Sequence, residues 1–147
     1  MELASVVLYV EDGTVPTALA FYERALGLTR RFYDPDFQFG ELGGQGAATL
    51  AVAAYQTGER LMPGGYRRPA RTTPVRHVEV AFSTPDVPGA FARAVAAGAR
   101  ELAAPYVLPW GQAVAYVQAP DGTILGLCAP PPGAAPGGSP APTWADV

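Results

Sequence analysis

His77 is the single histidine of the chain and stands two positions before Glu79. In an extended strand, residues two apart share a face, so the imidazole and the carboxylate lie side by side. They are the weak candidates for catalysis: a histidine titrates near neutral pH, and Glu79 would serve as a base if burial raised its pKa. The plainer reading is a polar cleft lining solvated by water. With Glu41 they would make a His/Glu/Glu donor set of the kind that holds a divalent ion. Cys128, the single cysteine, could act as a nucleophile with His77 as its base. A lone cysteine at a strand end is more often a small buried hydrophobe, and it excludes an intrachain disulfide or a multi-cysteine metal site.

A second set of residues suits binding rather than chemistry. The stretch Pro109 to Leu127, PWGQAVAYVQAPDGTILGL, reads as a hairpin: two runs alternate with a period of two around Ala-Pro-Asp-Gly, where Pro120 presets φ and Gly122 can take a positive φ. Alternation turns Ala113, Ala115 and Val117 to one face and Trp110, Gln112, Val114 and Tyr116 to the other. Trp110 and Tyr116 offer flat apolar surfaces with a polar tip. On the same reasoning Phe37, Phe39 and Glu41 share a face upstream. The run Gly43-Gly44-Gln45-Gly46 lacks the Gly-Lys-Ser/Thr of a phosphate loop and reads as a turn. Arg60, Arg67, Arg68 and Arg71 read as a solvated face rather than an anion grip.

The elements that must position these residues follow from periodicity. Leu3 to Val10 reads as a strand, Pro16 to Leu26 as a helix capped by Thr14 and stopped by Gly27, and Thr29 to Tyr33, Phe37 to Leu42 and Ala47 to Ala54 as three more strands. Residues 55–73, broken by Pro63, Gly64, Gly65 and Pro69, read as a linker. Arg76 to Thr84 then predicts a strand. Val87 to Ala97 predicts a helix burying Val87, Phe91, Ala94 and Val95 and stopping at Gly98, and Arg100 to Ala103 a short strand before the hairpin. The halves repeat one order: SVVLYVEDGTVPTALAFYERALGL parallels VEVAFSTPDVPGAFARAVAAGA, an internal duplication. The chain thus predicts an α+β domain over 1–128, with two βαβββ modules at about 1–55 and 74–128 and a linker at 56–73. A Pro/Gly/Ala-rich tail over 129–147 follows, and its Trp144 is expected to dock on this chain or on a partner.

Duplicated βαβββ order, the FYERALGL helix ending and the closing PWGQAVAYVQAPDGTILGL together resemble the vicinal-oxygen-chelate superfamily of glyoxalase I, bleomycin-resistance proteins, fosfomycin-resistance enzymes and extradiol dioxygenases. The resemblance covers about Leu3 to Cys128. It implies a curved mixed sheet with helices on its convex face and, from how such modules pair, a homodimer. In metal-dependent members it implies one side-chain ligand from each of four inward strands, positions that fall here on Ser5, about Ala51, Glu79 and Gly126. Three of these carry no competent donor, so no divalent metal and no other cofactor is expected.

Composition fits a soluble protein of 147 residues that is 49% hydrophobic and 16% charged. No apolar run reaches the roughly 18 residues that cross a membrane, and the Met-Glu-Leu-Ala start lacks a basic region followed by an apolar one, so a cytoplasmic location is expected. A net charge of −3 argues against non-specific nucleic-acid binding, which relies on a basic field. The expected function is metal-independent binding of an aromatic or apolar small molecule, an antibiotic being one candidate, as in bleomycin-resistance proteins. The ligand would be lined by Trp110, Tyr116, Gln112, Phe39, Phe37, Glu79, His77, Ser5 and Gly126. The alternative is a lyase or isomerase acting on a small carbonyl substrate, with or without a divalent metal.

Overall fold

A computed structural model of the chain describes residues 1–62, 64, 66–68 and 78–130. The element order is β1 (Ser5–Val10), α1 (Val15–Leu26), β2 (Thr29–Asp34), β3 (Phe39–Gly43), β4 (Thr49–Ala54), α2 (Tyr55–Leu61), β5 (Glu79–Ser83), α3 (Val87–Ala96), β6 (Arg100–Val107), β7 (Ala113–Gln118) and β8 (Ile124–Cys128). The βαβββ order therefore occurs twice. Each copy builds one mixed four-stranded sheet, β1-β4-β3-β2 and β5-β8-β7-β6, in which the first and last strands of the module run parallel and the other neighbours antiparallel.

Alternation divides each sheet into a helix side and an outer side. On the helix side Leu8, Val10, Leu42, Leu50 and Val52 pack under Leu19, Tyr22 and Ala25 of α1, in one core that also takes in Ala94 of α3 and Val117 and Leu125 of the second sheet. The helices α1 and α3 pack on each other. Tyr22 is fully buried, and its hydroxyl donates 2.7 Å to Asp121 in the β7–β8 turn. Burial, reinforced by the Asp121 charge, pushes the Tyr22 pKa upward, so the phenol remains the donor that ties the first helix to the second module's hairpin.

Local chemistry explains the helix ends. Gly27 takes φ +67° and returns its N–H to the Glu23 carbonyl at 3.1 Å, the left-handed stop that glycine allows. Asp86 caps α3 by accepting the Gly89 N–H at 2.9 Å. Thr14 sits at the start of α1 but does not cap it with its side chain, because its hydroxyl instead donates to the Glu11 carbonyl at 2.7 Å. On α3 the buried residues are Val87, Ala90 and Ala94. Val95 is exposed, since at 100° per residue it falls to the edge of the stripe centred on Ala94.

Three stretches differ from their sequence reading. Residues 55–61, expected as linker, form α2, a short helix packed on β4 and β1. Strand β6 runs on to Val107 because Pro105 lies on the sheet's edge strand, where no ladder N–H is required. Trp110 is not in a strand but in the tight turn from Leu108 to Gln112, closed by Leu108 N–H to the Gln112 carbonyl and Gly111 N–H to the Leu108 carbonyl, both at 2.8 Å. The expected Trp144 contact and the strand start at Arg76 and His77 lie outside the described residues.

Candidate functional site

The outer side of the second sheet gathers several of the residues singled out above. Register places Glu79, Ile124 and Gln118 in one cross-strand row. Ala81, Gly126, Tyr116 and Ala103 form the next, and Ser83, Cys128, Val114 and Tyr106 the third. Glu79, Ala81 and Ser83 are exposed, whereas Tyr116 and Cys128 are half-buried. The Glu79 carboxylate lies back over Gly126, where a Cβ would fall on its Oε1 and come within 3.4 Å of the Tyr116 ring. Glycine at 126 is therefore what lets the carboxylate rest on the sheet beside the tyrosine.

Charge on this face is simple. Burial, with a smaller contribution from the Glu79 charge, raises the pKa of the Tyr116 phenol and of the Cys128 thiol. Both stay protonated at neutral pH, and Cys128 donates weakly to the Phe82 carbonyl at 3.6 Å. A raised thiol pKa opposes the nucleophilic role considered for Cys128. At the end of the face Gln112 is held twice, accepting from Trp110 Nε1 at 3.0 Å and donating to the Ala129 carbonyl at 2.7 Å. Trp110 itself is exposed, as are Leu102, Tyr106 and Val107 beside it.

The outer side of the first sheet is closed by its own chain. Register puts Ser5 with Thr49, Val7 with Ala51 and Tyr9 with Ala53, while Glu41 and Phe39 follow Ala51 and Ala53 across β3. Ala51 and Ala53 are fully buried. Tyr9 lies under Tyr66, with ring centroids 5.0 Å apart, and Gly58 of α2 gives both rings the room they occupy. Phe39 stacks on Phe32, and Phe37 lies under the Arg60 guanidinium, 4.7 Å from the ring centre. A bulge at Arg31 sends its side chain over Gly43 to pair with Glu41 at 3.6 Å. The Ser5 hydroxyl is buried and has no hydrogen-bond partner among the described residues.

The structure thus brings Glu79, Gly126 and Tyr116 together, sets Gln112 and Trp110 at the end of the same sheet, and leaves Ser5 and Phe39 on the other sheet, with Phe37, expected in a strand, in the turn before β3. His77 lies outside the described residues. Of the positions the resemblance points to for metal ligands, Ala51 and Gly126 have no donor atoms, and Ser5 and Glu79 stand on different sheets. Among the described residues no three His, Cys, Asp or Glu side chains come together, so this donor set does not fit a divalent ion. Sequence reasoning missed Tyr66 as a cover for Tyr9, and the Arg31 partner of Glu41. The spacing of Tyr55, Gly58 and Tyr66 was the available signal for the first, while the bulge behind the second leaves no mark in a period of two.

The family model described as the Glyoxalase/Bleomycin resistance protein/Dioxygenase superfamily matches residues 3–127. The chain belongs to this superfamily. Among solved structures, the fold is similar to a family enzyme from Burkholderia phytofirmans PsJN, at 18% identity and TM-score 0.74 over 88% of this chain and 98% of that one. A glyoxalase/bleomycin resistance protein/dioxygenase from Nocardioides shares 24% identity at TM-score 0.70, over 94% and 89%. The lactoylglutathione lyase of Agrobacterium tumefaciens shares 20% at 0.63, over 87% and 92%. No curated protein matches the chain in sequence. No helix among the described residues is long and apolar enough to cross a membrane.

Proposed function

We propose that this superfamily member is a metal-independent binding protein for an aromatic or apolar small molecule, a cytoplasmic homodimer of the bleomycin-resistance type that sequesters its ligand, an antibiotic being one candidate. The observation that carries the reading is the outer face of the second sheet, where Glu79 rests over Gly126 beside the half-buried Tyr116 and where Glu79, Ala81 and Ser83 are exposed. An apolar surface with one convergent polar group is how small-molecule sites are commonly built. Trp110 and Gln112 extend this face, and His77 would share it by strand alternation.

A second copy supplies the missing wall. Strands β1 and β5 are each the outermost strand of a separate sheet, and an outermost strand presents backbone groups that a neighbouring subunit can approach. In this reading Ser5, Phe37 and Phe39 of one copy face Glu79 and Tyr116 of the other, and the segment after Cys128 clasps the pair.

Titration of a Trp144→Phe variant with a panel of planar aromatic compounds, read by Trp110 fluorescence, tests the binding. Saturable quenching is expected, and no response from any compound overturns it. Light scattering is expected to give the mass of two chains. Metal analysis of freshly purified protein is expected to find no stoichiometric transition metal, and a chelator-removable equivalent would contradict the metal-free reading. The rival reading, a lyase or isomerase with Glu79 as base on a small carbonyl substrate, draws on the exposure of that carboxylate. It predicts Glu79-dependent exchange of a substrate α-proton into deuterated water.

A further inference from the structure

The two outer faces each present a glutamate, and only one of them is neutralised. Glu41 of the first sheet pairs with Arg31 at 3.6 Å. Glu79 of the second sheet makes no ion pair or hydrogen bond among the described residues, and the described side chains beside it on this face are neutral: Ile124, Ala81, Cys128 and the Tyr116 ring. Among the described residues Arg100 is engaged on Gln118 at 2.5 Å and Arg68 on Asp12 and Glu59, while Arg71 and Arg76 lie outside them. Gly126 gives the carboxylate a seat on the sheet next to the Tyr116 ring.

We propose that this face selects ligands carrying a protonated amine on a flat aromatic body, with Glu79 taking the ammonium and Tyr116 taking the ring. The inference rests on the binding reading above and adds the charge of the ligand to it. A carboxylate beside an aromatic ring favours a cation twice over, through a charge-assisted hydrogen bond and through the negative face of the ring. A carboxylate-bearing ligand of the same shape meets like charge and is rejected. An aromatic alcohol keeps the stacking and loses the charge.

The test uses the full-length chain and three matched probes, 1-naphthylmethylamine, 1-naphthalenemethanol and 1-naphthaleneacetate, with binding read by calorimetry. The amine is expected to bind about tenfold more tightly than the alcohol, the order a charge-assisted hydrogen bond provides, and the acetate most weakly. Glu79→Gln is expected to lower the amine's affinity and erase the difference between amine and alcohol. Gly126→Ala, which needs only the flexible carboxylate to move, is expected to reduce the amine preference several-fold, with circular dichroism confirming the fold of both variants. Equal binding of all three probes, or an amine preference that survives Glu79→Gln, overturns the charge selection alone. Failure of all three to bind overturns the binding reading with it.

Discussion

The two sheets share strand order and helix-side packing, yet their outer faces are finished in opposite ways. The first sheet closes over itself: Tyr66 and α2 cover Tyr9, Phe32 covers Phe39, and Arg31 neutralises Glu41. The second leaves Glu79, Ala81 and Ser83 exposed beside Tyr116 and sets four exposed apolar side chains along its edge: Leu102, Tyr106, Val107 and Trp110. The helix sides cannot diverge in this manner, because Leu8, Val52, Val117 and Leu125 belong to one core. A duplicated module is therefore constrained where its copies meet and free where they face outward, and that freedom is where a binding surface can arise.

Breaking the shared core should have the largest effect. Leu125→Ala removes a fully buried side chain and is expected to cost about 2–5 kcal/mol, with far-ultraviolet circular dichroism and tryptophan fluorescence losing structure in one transition. Two separated transitions would show that the sheets are independent. Tyr22→Phe removes the hydroxyl bonded to Asp121 and is expected to cost about 1 kcal/mol in urea denaturation, with both probes moving together.

Smaller effects should separate the two glutamates. Glu41→Gln breaks a partly exposed ion pair and is expected to lower stability by less than about 1 kcal/mol, an effect that salt reduces. Glu79→Gln, which breaks no ion pair among the described residues, should leave the urea midpoint unchanged. It should instead move two titrations. Burial and then the Glu79 charge hold the Cys128 thiol and the Tyr116 phenol above their ordinary pKa, so iodoacetamide should react with Cys128 only at a pH above the usual thiol range. Removing the charge favours each deprotonated form, so both midpoints should fall partway back, with burial keeping the rest of the shift. Midpoints unmoved by Glu79→Gln would mean that the carboxylate does not lie over Gly126.

Much of this architecture was legible from residue order. Period-two runs gave the strands, Gly27 the end of α1, and Ala-Pro-Asp-Gly the β7–β8 turn, where Gly122 takes φ +91°. Glu79, Tyr116 and Gly126 fall on one face because alternation alone requires it. Elements whose cause is tertiary were not legible. The helix α2 has only seven residues with a glycine inside, and its stability comes from packing on β4 and β1. Pro105 reads as a strand breaker unless the strand is known to be an edge. Nor does alternation reveal that Ser5 and Phe39 stand on a different sheet from Glu79, since it assigns residues to a face without saying which faces meet.

The central claim, that the exposed face of the second sheet is the binding surface, is tested most directly by backbone amide shifts of isotopically labelled protein titrated with 1-naphthylmethylamine. Saturable shifts centred on Glu79, Tyr116 and Gly126 are the result expected. Shifts centred instead on the open depression of about 300 Å³ lined by Gly27, Thr29, Arg31, Gly43, Gly44 and Gln45, with residues 79–83 and 113–128 unmoved, would contradict it.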